Sequence, residues 1–318
     1  MTIATLPTRV GAIRDEAEDI RSFLLEAVDG SALPAYAAGA HLDVHLPNGL
    51  LRQYSLCGPD RKAGTYRIAV KREAASRGGS RWMHEALRSG DTLAVGPPRC
   101  AFALSEAAGF HLLLGGGIGI TPLLSMAYEL AARGEAFKLA YFVRSEAGTA
   151  FRDELRLPPL AGRCEIFNGL SVAATELAIA ALLRDVPVAT HCYTCGPASF
   201  MEAVRSRAAA NLPATHFHQE SFAASALANE KSFILRLARS GRELTVGAEE
   251  SVVECLRSAG LEIETSCEVG VCGTCATKVL EGCPDHRDSF LTTREHQSNN
   301  CFTPCISRSL SPTLIVDL

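Results

Sequence analysis

Residues 264–279, ETSCEVGVCGTCATKV, place Cys267, Cys272 and Cys275 in the spacing C-x4-C-x2-C. With a distant fourth cysteine this is the plant-type ligand pattern for a [2Fe–2S] cluster, in which each iron needs two thiolates. Small residues fill the loop. Gly270, Gly273 and Thr274 let backbone N–H groups approach the bridging sulfides, which need hydrogen-bond donors. Zinc competes for such sulfurs, but zinc sites usually bring two close cysteine pairs, and Cys301/Cys305, as C-x3-C, imitate a second pair only weakly. Twenty-five residues lie between Cys275 and Cys301 and twenty-nine between Cys275 and Cys305, so either thiol can complete the set.

The flanks of this loop predict a small ferredoxin-like domain. KSFILRLARSGRELTV alternates around Ser240-Gly241 and reads as a hairpin. ESVVECLRSAG carries a helical apolar stripe of Val252, Val253, Leu256 and Ala259, ended by Gly260, and PTLIVDL reads as a closing strand. Nine acidic and three basic side chains lie between residues 247 and 290. That surface is either simply solvated or a docking face for a basic partner.

Upstream, FHLLLGGGIGITPLLSMAYELAARG (110–134) is a buried strand, a glycine run and a helix. The reading expects Thr121 to cap the helix with Pro122 first inside it, and Leu123, Ala127, Leu130 and Ala131 to form its inner stripe. Gly115, Gly116, Gly117 and Gly119 would let a pyrophosphate lie against backbone N–H groups at the positive helix end. The run departs from G-x-G-x-x-G, because Pro122 holds the third glycine position. FKLAYFVRS, CEIFN and HCYTCGPASFMEAVRSRAAA continue the strand-and-helix alternation of a doubly wound α/β sheet. Cys195 then falls at a strand end, where ligands sit in such sheets. Arg144, Ser145 and Glu146 follow the second strand; a glutamate there repels a 2′-phosphate and favours NADH, while Arg144 could tolerate one.

Hydride carries two electrons and a [2Fe–2S] cluster accepts one, so a flavin is needed between them. The N-terminal third offers its contacts. In LRQYSLCG, Arg52 and Tyr54 share one face of a strand, Tyr54 able to stack on an isoalloxazine, Ser55 to bond its reactive nitrogen and Arg52 to pair with a phosphate. YRIAVKR adds Lys71, and RGGSRWMHEAL opens a helix with Gly78 and Gly79 before a capping Ser80, a place for an anionic phosphate. No side chain is required as general acid or base at the flavin.

Composition agrees with a soluble redox protein. The 318 residues carry a net charge of −4 and 47% hydrophobic residues, which gives no footprint for nucleic acid or anionic lipid. No apolar run reaches membrane-spanning length and no export signal is visible, so a cytoplasmic location is expected. Twelve cysteines in that setting indicate metal or redox chemistry. Cys57, Cys100, Cys164, Cys192, Cys255 and Cys283 lack ligand-like grouping. His216 and His218 sit two apart on one strand face, where a structural role is favoured over a metal pair.

Taken in order, R-x-Y-S, G-G-S, G-G-G-I-G-I-T-P, C-G-P, E-S-F and C-x4-C-x2-C…C resemble the phthalate dioxygenase reductase family over nearly the whole chain. The resemblance implies three domains: an antiparallel FMN-binding β-barrel (1–103), an NAD-binding α/β domain (104–225) and a β-grasp ferredoxin domain (231–318). It implies FMN in preference to FAD, and an oxygenase partner with a Rieske centre. Carried onto this chain, Arg52, Tyr54 and Ser55 would touch the isoalloxazine, with Lys71 nearby, and Gly78, Gly79 and Ser80 would cradle the phosphate. Gly117, Thr121 and Cys195 would line the nicotinamide side, and Phe222 would lie near the flavin. CISR resembles the C-x-S-R that closes the cluster loop, which favours Cys305 over Cys301. The expected activity is electron transfer from NADH through FMN and the cluster to the oxygenase. The alternatives are a subunit fixed in a larger redox complex and an FAD reductase of a di-iron monooxygenase.

Overall fold

The computed structural model describes residues 5–318 apart from 48–49, 60–63, 74–77, 223–230, 249, 266–267, 269, 271–272 and 289. The chain divides into two compact units, 1–221 and 222–318.

In the first unit, alternation of apolar and polar residues produces antiparallel strands with one face inward. Strands β1 (Leu6–Ala17), β2 (Ile20–Ala27), β3 (His41–His45), β4 (Leu51–Ser55), β5 (Tyr66–Lys71) and β6 (Thr92–Val95) form one sheet in the order β4-β3-β6-β1-β2-β5. A bridge from Leu56, just past β4, to Ile68 of β5 joins the two ends of the row, so the sheet closes as a barrel. Val10, Phe23, Leu25, Leu42, Val44, Ile68 and Val95 fill its interior with no solvent exposure. Helix α1 (Gly79–Glu85) adds Met83 to that core.

The α/β part is a five-stranded sheet of β7 (Phe110–Gly116), β8 (Phe137–Val143), β9 (Cys164–Asn168), β10 (Thr190–Cys195) and β11 (Phe217–Glu220). Its order is β11-β10-β7-β8-β9 and every pair is parallel. The chain starts in the middle at β7, winds outward to β9, then crosses back to β10, so the switch point lies between β7 and β10. Both faces are covered, which explains the unbroken apolar runs. Leu113 packs with Ile120, Leu123, Leu124, Ala127 and Leu130 of helix α2 (Ile120–Arg133). Its neighbours Leu112 and Leu114 point the other way, with Ile179 of α4 (Val172–Arg184) and Phe200 and Val204 of α5 (Ala198–Ala208).

The α2 core also contains Ile20, Ala38, Cys57, Ala69 and Phe102. Barrel and α/β sheet therefore share one interior, and α2 is buried on more sides than a simple inner stripe predicts. Helix α3 (Arg152–Arg156) reinforces the junction: Glu154 Oε2 accepts from Arg67 of β5 at 2.9 Å and from the Tyr128 hydroxyl at 2.7 Å.

Two expected helix caps are not caps. A 3₁₀ turn over Gly117–Gly119 runs straight into α2, so Gly119 is the N-cap and Thr121 is already inside; its hydroxyl donates to Ile118 O at 3.0 Å. Pro122 is consequently third in the helix, where a missing N–H is still harmless. Likewise Gly78 (φ 104°) caps α1, and Ser80 Oγ instead accepts the Glu73 N–H at 3.2 Å. In both places a glycine turn starts the helix before the hydroxyl residue can.

The second unit is a mixed sheet crossed by a helix. It comprises β12 (Phe233–Leu237), β13 (Glu243–Val246), α6 (Val252–Ser258), β14 (Thr277–Glu281), β15 (Pro284–Asp285), α7 (Thr293–Ser298), β16 (Cys301–Phe302), β17 (Arg308–Ser309) and β18 (Thr313–Val316). The sheet order is β13-β12-β18-β14-β16, with β12 and β18 parallel and the other pairs antiparallel. A Ser251/Glu254 capping box starts α6, whose Val252, Val253, Cys255 and Leu256 are buried. Arg308 is 2% exposed and donates to three backbone carbonyls, Glu250 at 2.5 Å, Gly247 at 2.8 Å and Lys231 at 3.0 Å. Among the described residues no helix is long and apolar enough to cross a membrane.

Candidate functional site

The carboxyl ends of β7, β10 and β11 meet the end of β4. Cys195 is in register with Gly115 on one side and Glu220 on the other. Ser55 Oγ donates to Glu220 Oε2 at 3.3 Å, so barrel and α/β sheet touch through a hydroxyl and a carboxyl at the switch point. Burial pushes the Glu220 carboxyl up to about 7, against the smaller opposing pull of the Ser55 bond. It therefore exchanges a proton near neutral pH. Burial first, then the nearby Glu220, hold the Cys195 thiol well above its ordinary value. Cys195 is thus a neutral thiol, a packing surface and not a nucleophile.

The glycine run is laid against this strand end. A Cβ on Gly119 would stand 2.2 Å from the Cys195 carbonyl oxygen, so only glycine allows the approach. Gly116 lies against Pro197 and Phe200, while a Cβ on Gly117 would meet nothing within 4 Å. The turn therefore presents one open backbone face, suited to a pyrophosphate or a ring. The Thr121 hydroxyl is committed to Ile118 O, so it holds the turn.

On the barrel, Tyr54 is half-buried against the core, and burial, only partly offset by Arg52, raises its phenol to about 12. The Arg52 side chain runs across Gly79, where a Cβ would come within 2.9 Å of its Cγ and Nε. Arg52 and the start of α1 are thus brought together, as a phosphate cradle requires. Lys71, at the end of β5, pairs with Glu73 at 2.8 Å, and Ser80 serves the same segment. Both side chains thus contact Glu73. Phe222 belongs to the second unit and is 44% exposed.

Glu220 is a residue that the sequence reading did not single out. Its only trace in the sequence is its place at a strand end in E-S-F. His216 and His218 both lie beside His191. The two nitrogens His218 Nε2 and His191 Nδ1 are 2.9 Å apart, and His216 stacks on His191 with ring centres 4.1 Å apart.

In the second unit, Cys275 and Cys305 are buried in one small apolar cluster with Val253 and Ile306. Cys267 and Cys272 lie outside the described residues. Gly273, at φ 73°, packs so closely on Phe290 that a Cβ would be 2.1 Å from the ring. Cys301, on β16 opposite Lys278, is half-exposed. Its thiol is raised by burial, then by Glu295 and Asp288, which opposes the thiolate a metal needs. The donor chemistry around Cys275 and Cys305, two buried thiols in one cluster, fits an iron–sulfur cluster.

A family model described as a 2Fe-2S iron-sulfur cluster binding domain matches residues 235–309. The chain is 43% identical to the vanillate O-demethylase oxidoreductase of Pseudomonas sp. (strain HR199 / DSM 7063), over 97% of this chain and 98% of that protein. It is 40% identical to the heme-dependent oxidative N-demethylase beta subunit of Ectopseudomonas mendocina (strain ymp), over 98% and 99% of the two chains. Among solved structures, phthalate dioxygenase reductase, described as modular for electron transfer from pyridine nucleotides to [2Fe-2S], aligns with a TM-score of 0.75. It is 37% identical, over 99% of this chain and 98% of that one.

Proposed function

The chain belongs to the phthalate dioxygenase reductase family, and from that premise we propose that it passes reducing equivalents from NADH through FMN and a [2Fe–2S] cluster to a separate oxygenase with a Rieske centre. It is an oxidoreductase, and its partner is the component that meets the final substrate. We place it in the cytoplasm, where NADH is available. When bound, the flavin supplies the conversion of an electron pair into single electrons and the cluster relays them.

The residues of the first unit bind, orient and manage a proton. Arg52 and the backbone at Gly78 and Gly79 hold the flavin phosphate, with Tyr54 against the ring. The backbone of Gly116, Gly117 and Gly119 receives the nicotinamide cofactor, and Cys195 gives it a neutral surface. Ser55 and Glu220 hold a proton at the Glu220 carboxyl and can deliver it through the Ser55 hydroxyl. Cys267, Cys272, Cys275 and Cys305 are assigned as the four iron ligands.

The observation that carries this reading is the meeting of Ser55, Cys195 and Glu220 at the switch point. The test is the visible spectrum of the pure protein with flavin and iron counts, before and after anaerobic NADH. One flavin and two irons per chain, both bleached by NADH and much less readily by NADPH, are expected. A protein that stays coloured would overturn the reading. The likeness to the N-demethylase subunit favours a second reading, a haem-containing partner. Reduction of a purified haem oxygenase, but not of a Rieske one, would select it.

A further inference from the structure

Three residues in the second unit form a group that electron transfer does not use. His286 follows β15, Asp288 lies two residues on, and His296 is on α7. Their ligand atoms all lie within 4.8 Å of one another. The Asp288 side chain is fully buried, His286 is 10% exposed and His296 is 29% exposed. His296 Nε2 is 3.3 Å from Asp288 Oδ2 and His286 Nδ1 is 3.9 Å from Asp288 Oδ1. A tetrahedral ion with bonds of about 2.0–2.1 Å separates its ligand atoms by about 3.3–3.4 Å, so a small adjustment closes the set.

The support around the group is that of a built site. His286 Nε2 lies 3.1 Å from Asn299 Oδ1 and donates its proton there. Nδ1 is then a lone pair, and it is buried without a hydrogen-bond partner. A protein oxygen that fixes the distal nitrogen of a histidine is the usual way to aim the other nitrogen at a metal. Asp288 is held as well: Oδ2 accepts the Leu291 N–H at 2.8 Å and the Phe290 N–H at 3.2 Å, and Oδ1 accepts from Ser307 at 3.4 Å. The two imidazoles stack with centres 4.5 Å apart, and the more exposed His296 gives an entry path.

We propose that His286, Asp288 and His296 bind one divalent ion of borderline softness, of the zinc class, in a site separate from the iron cysteines. Two imidazole nitrogens and one carboxylate oxygen suit such an ion and leave a fourth position for water. Asp288 also backs onto Gly270, where a Cβ would be 3.0 Å from the Asp288 Cα.

The test is equilibrium dialysis of the tag-free, cluster-loaded full chain against zinc, with zinc, iron and flavin counted on each sample. One zinc per chain is expected, with iron unchanged. His296→Gln should weaken zinc binding at least tenfold, and Asn299→Gly, which keeps the αL backbone of that residue (φ 52°), about 10–100-fold. No zinc on the wild type, equal zinc on wild type and His296→Gln, or iron lost in step with zinc gained would each overturn the proposal. The wild-type arm decides even if a variant misfolds.

Discussion

The Ser55 hydroxyl and the Glu220 carboxyl lie 3.3 Å apart although 165 residues separate them in the chain. The carboxyl titrates near 7 in the fold because it is buried, and near 4.5 when free. A group raised in this way leaves stability intact below about pH 4.5, and stability is lost as pH rises through about 7. Glu220→Gln has no proton to lose. Its melting temperature relative to the wild type should therefore climb between pH 5 and 8 and then level off. In stopped-flow reduction by NADH, the wild-type rate should change across pH 7 and the variant rate should not. A flat melting difference would show that the carboxyl is not held protonated.

Gly119 must stay without a side chain. Its Cβ would overlap the Cys195 carbonyl oxygen at 2.2 Å, and backbone cannot swing aside as a side chain can. Gly119→Ala should cost about 1–3 kcal/mol of stability, as overpacking does, and lower the rate of flavin reduction by displacing the turn. Thermal melting and anaerobic stopped-flow read the two effects. A variant with wild-type values for both would mean that the turn does not rest on Cys195.

What the sequence reveals of this molecule depends on how far apart the cooperating residues lie. The cysteine spacing and the glycine run are compact motifs, and the apolar runs of β7 and β8 are long enough to betray a two-sided sheet. Glu220 and Arg308 are different. Their partners are 165 and at least 58 residues away, so nothing local marks them. The misplaced caps at Ser80 and Thr121 have another cause. A hydroxyl residue before an apolar run signals a helix start, but a preceding glycine turn can begin the helix earlier.

Arg308 ties its own segment to two others of the ferredoxin unit through the carbonyls of Lys231 and of Gly247 and Glu250. Phe233 adds a ring face 5.3 Å from its guanidinium. Removing the fork leaves buried acceptors unmatched, each costing about 1–3 kcal/mol. Arg308→Met should destabilise this unit by at least about 3 kcal/mol, with Arg308→Lys intermediate because one ammonium cannot span all three acceptors. Urea unfolding followed by the visible absorbance of the cluster measures it. An unshifted midpoint for Arg308→Met would refute the assignment.

The fourth iron ligand is the sharpest choice between two nearby residues. Cys305 is 7% exposed and shares its cluster with Cys275, whereas Cys301 is half-exposed on β16. Burial, then the carboxylates of Glu295 and Asp288, raise the Cys301 thiol. Cys305→Ser should therefore lose iron and the cluster absorbance while keeping flavin and NADH-driven flavin bleaching. Cys301→Ser should keep both centres. The reverse pattern would make Cys301 the ligand and leave Cys305 as packing. Loss of iron from both variants would mean that replacing either sulfur collapses the loop, and neither assignment would then stand on spacing or burial.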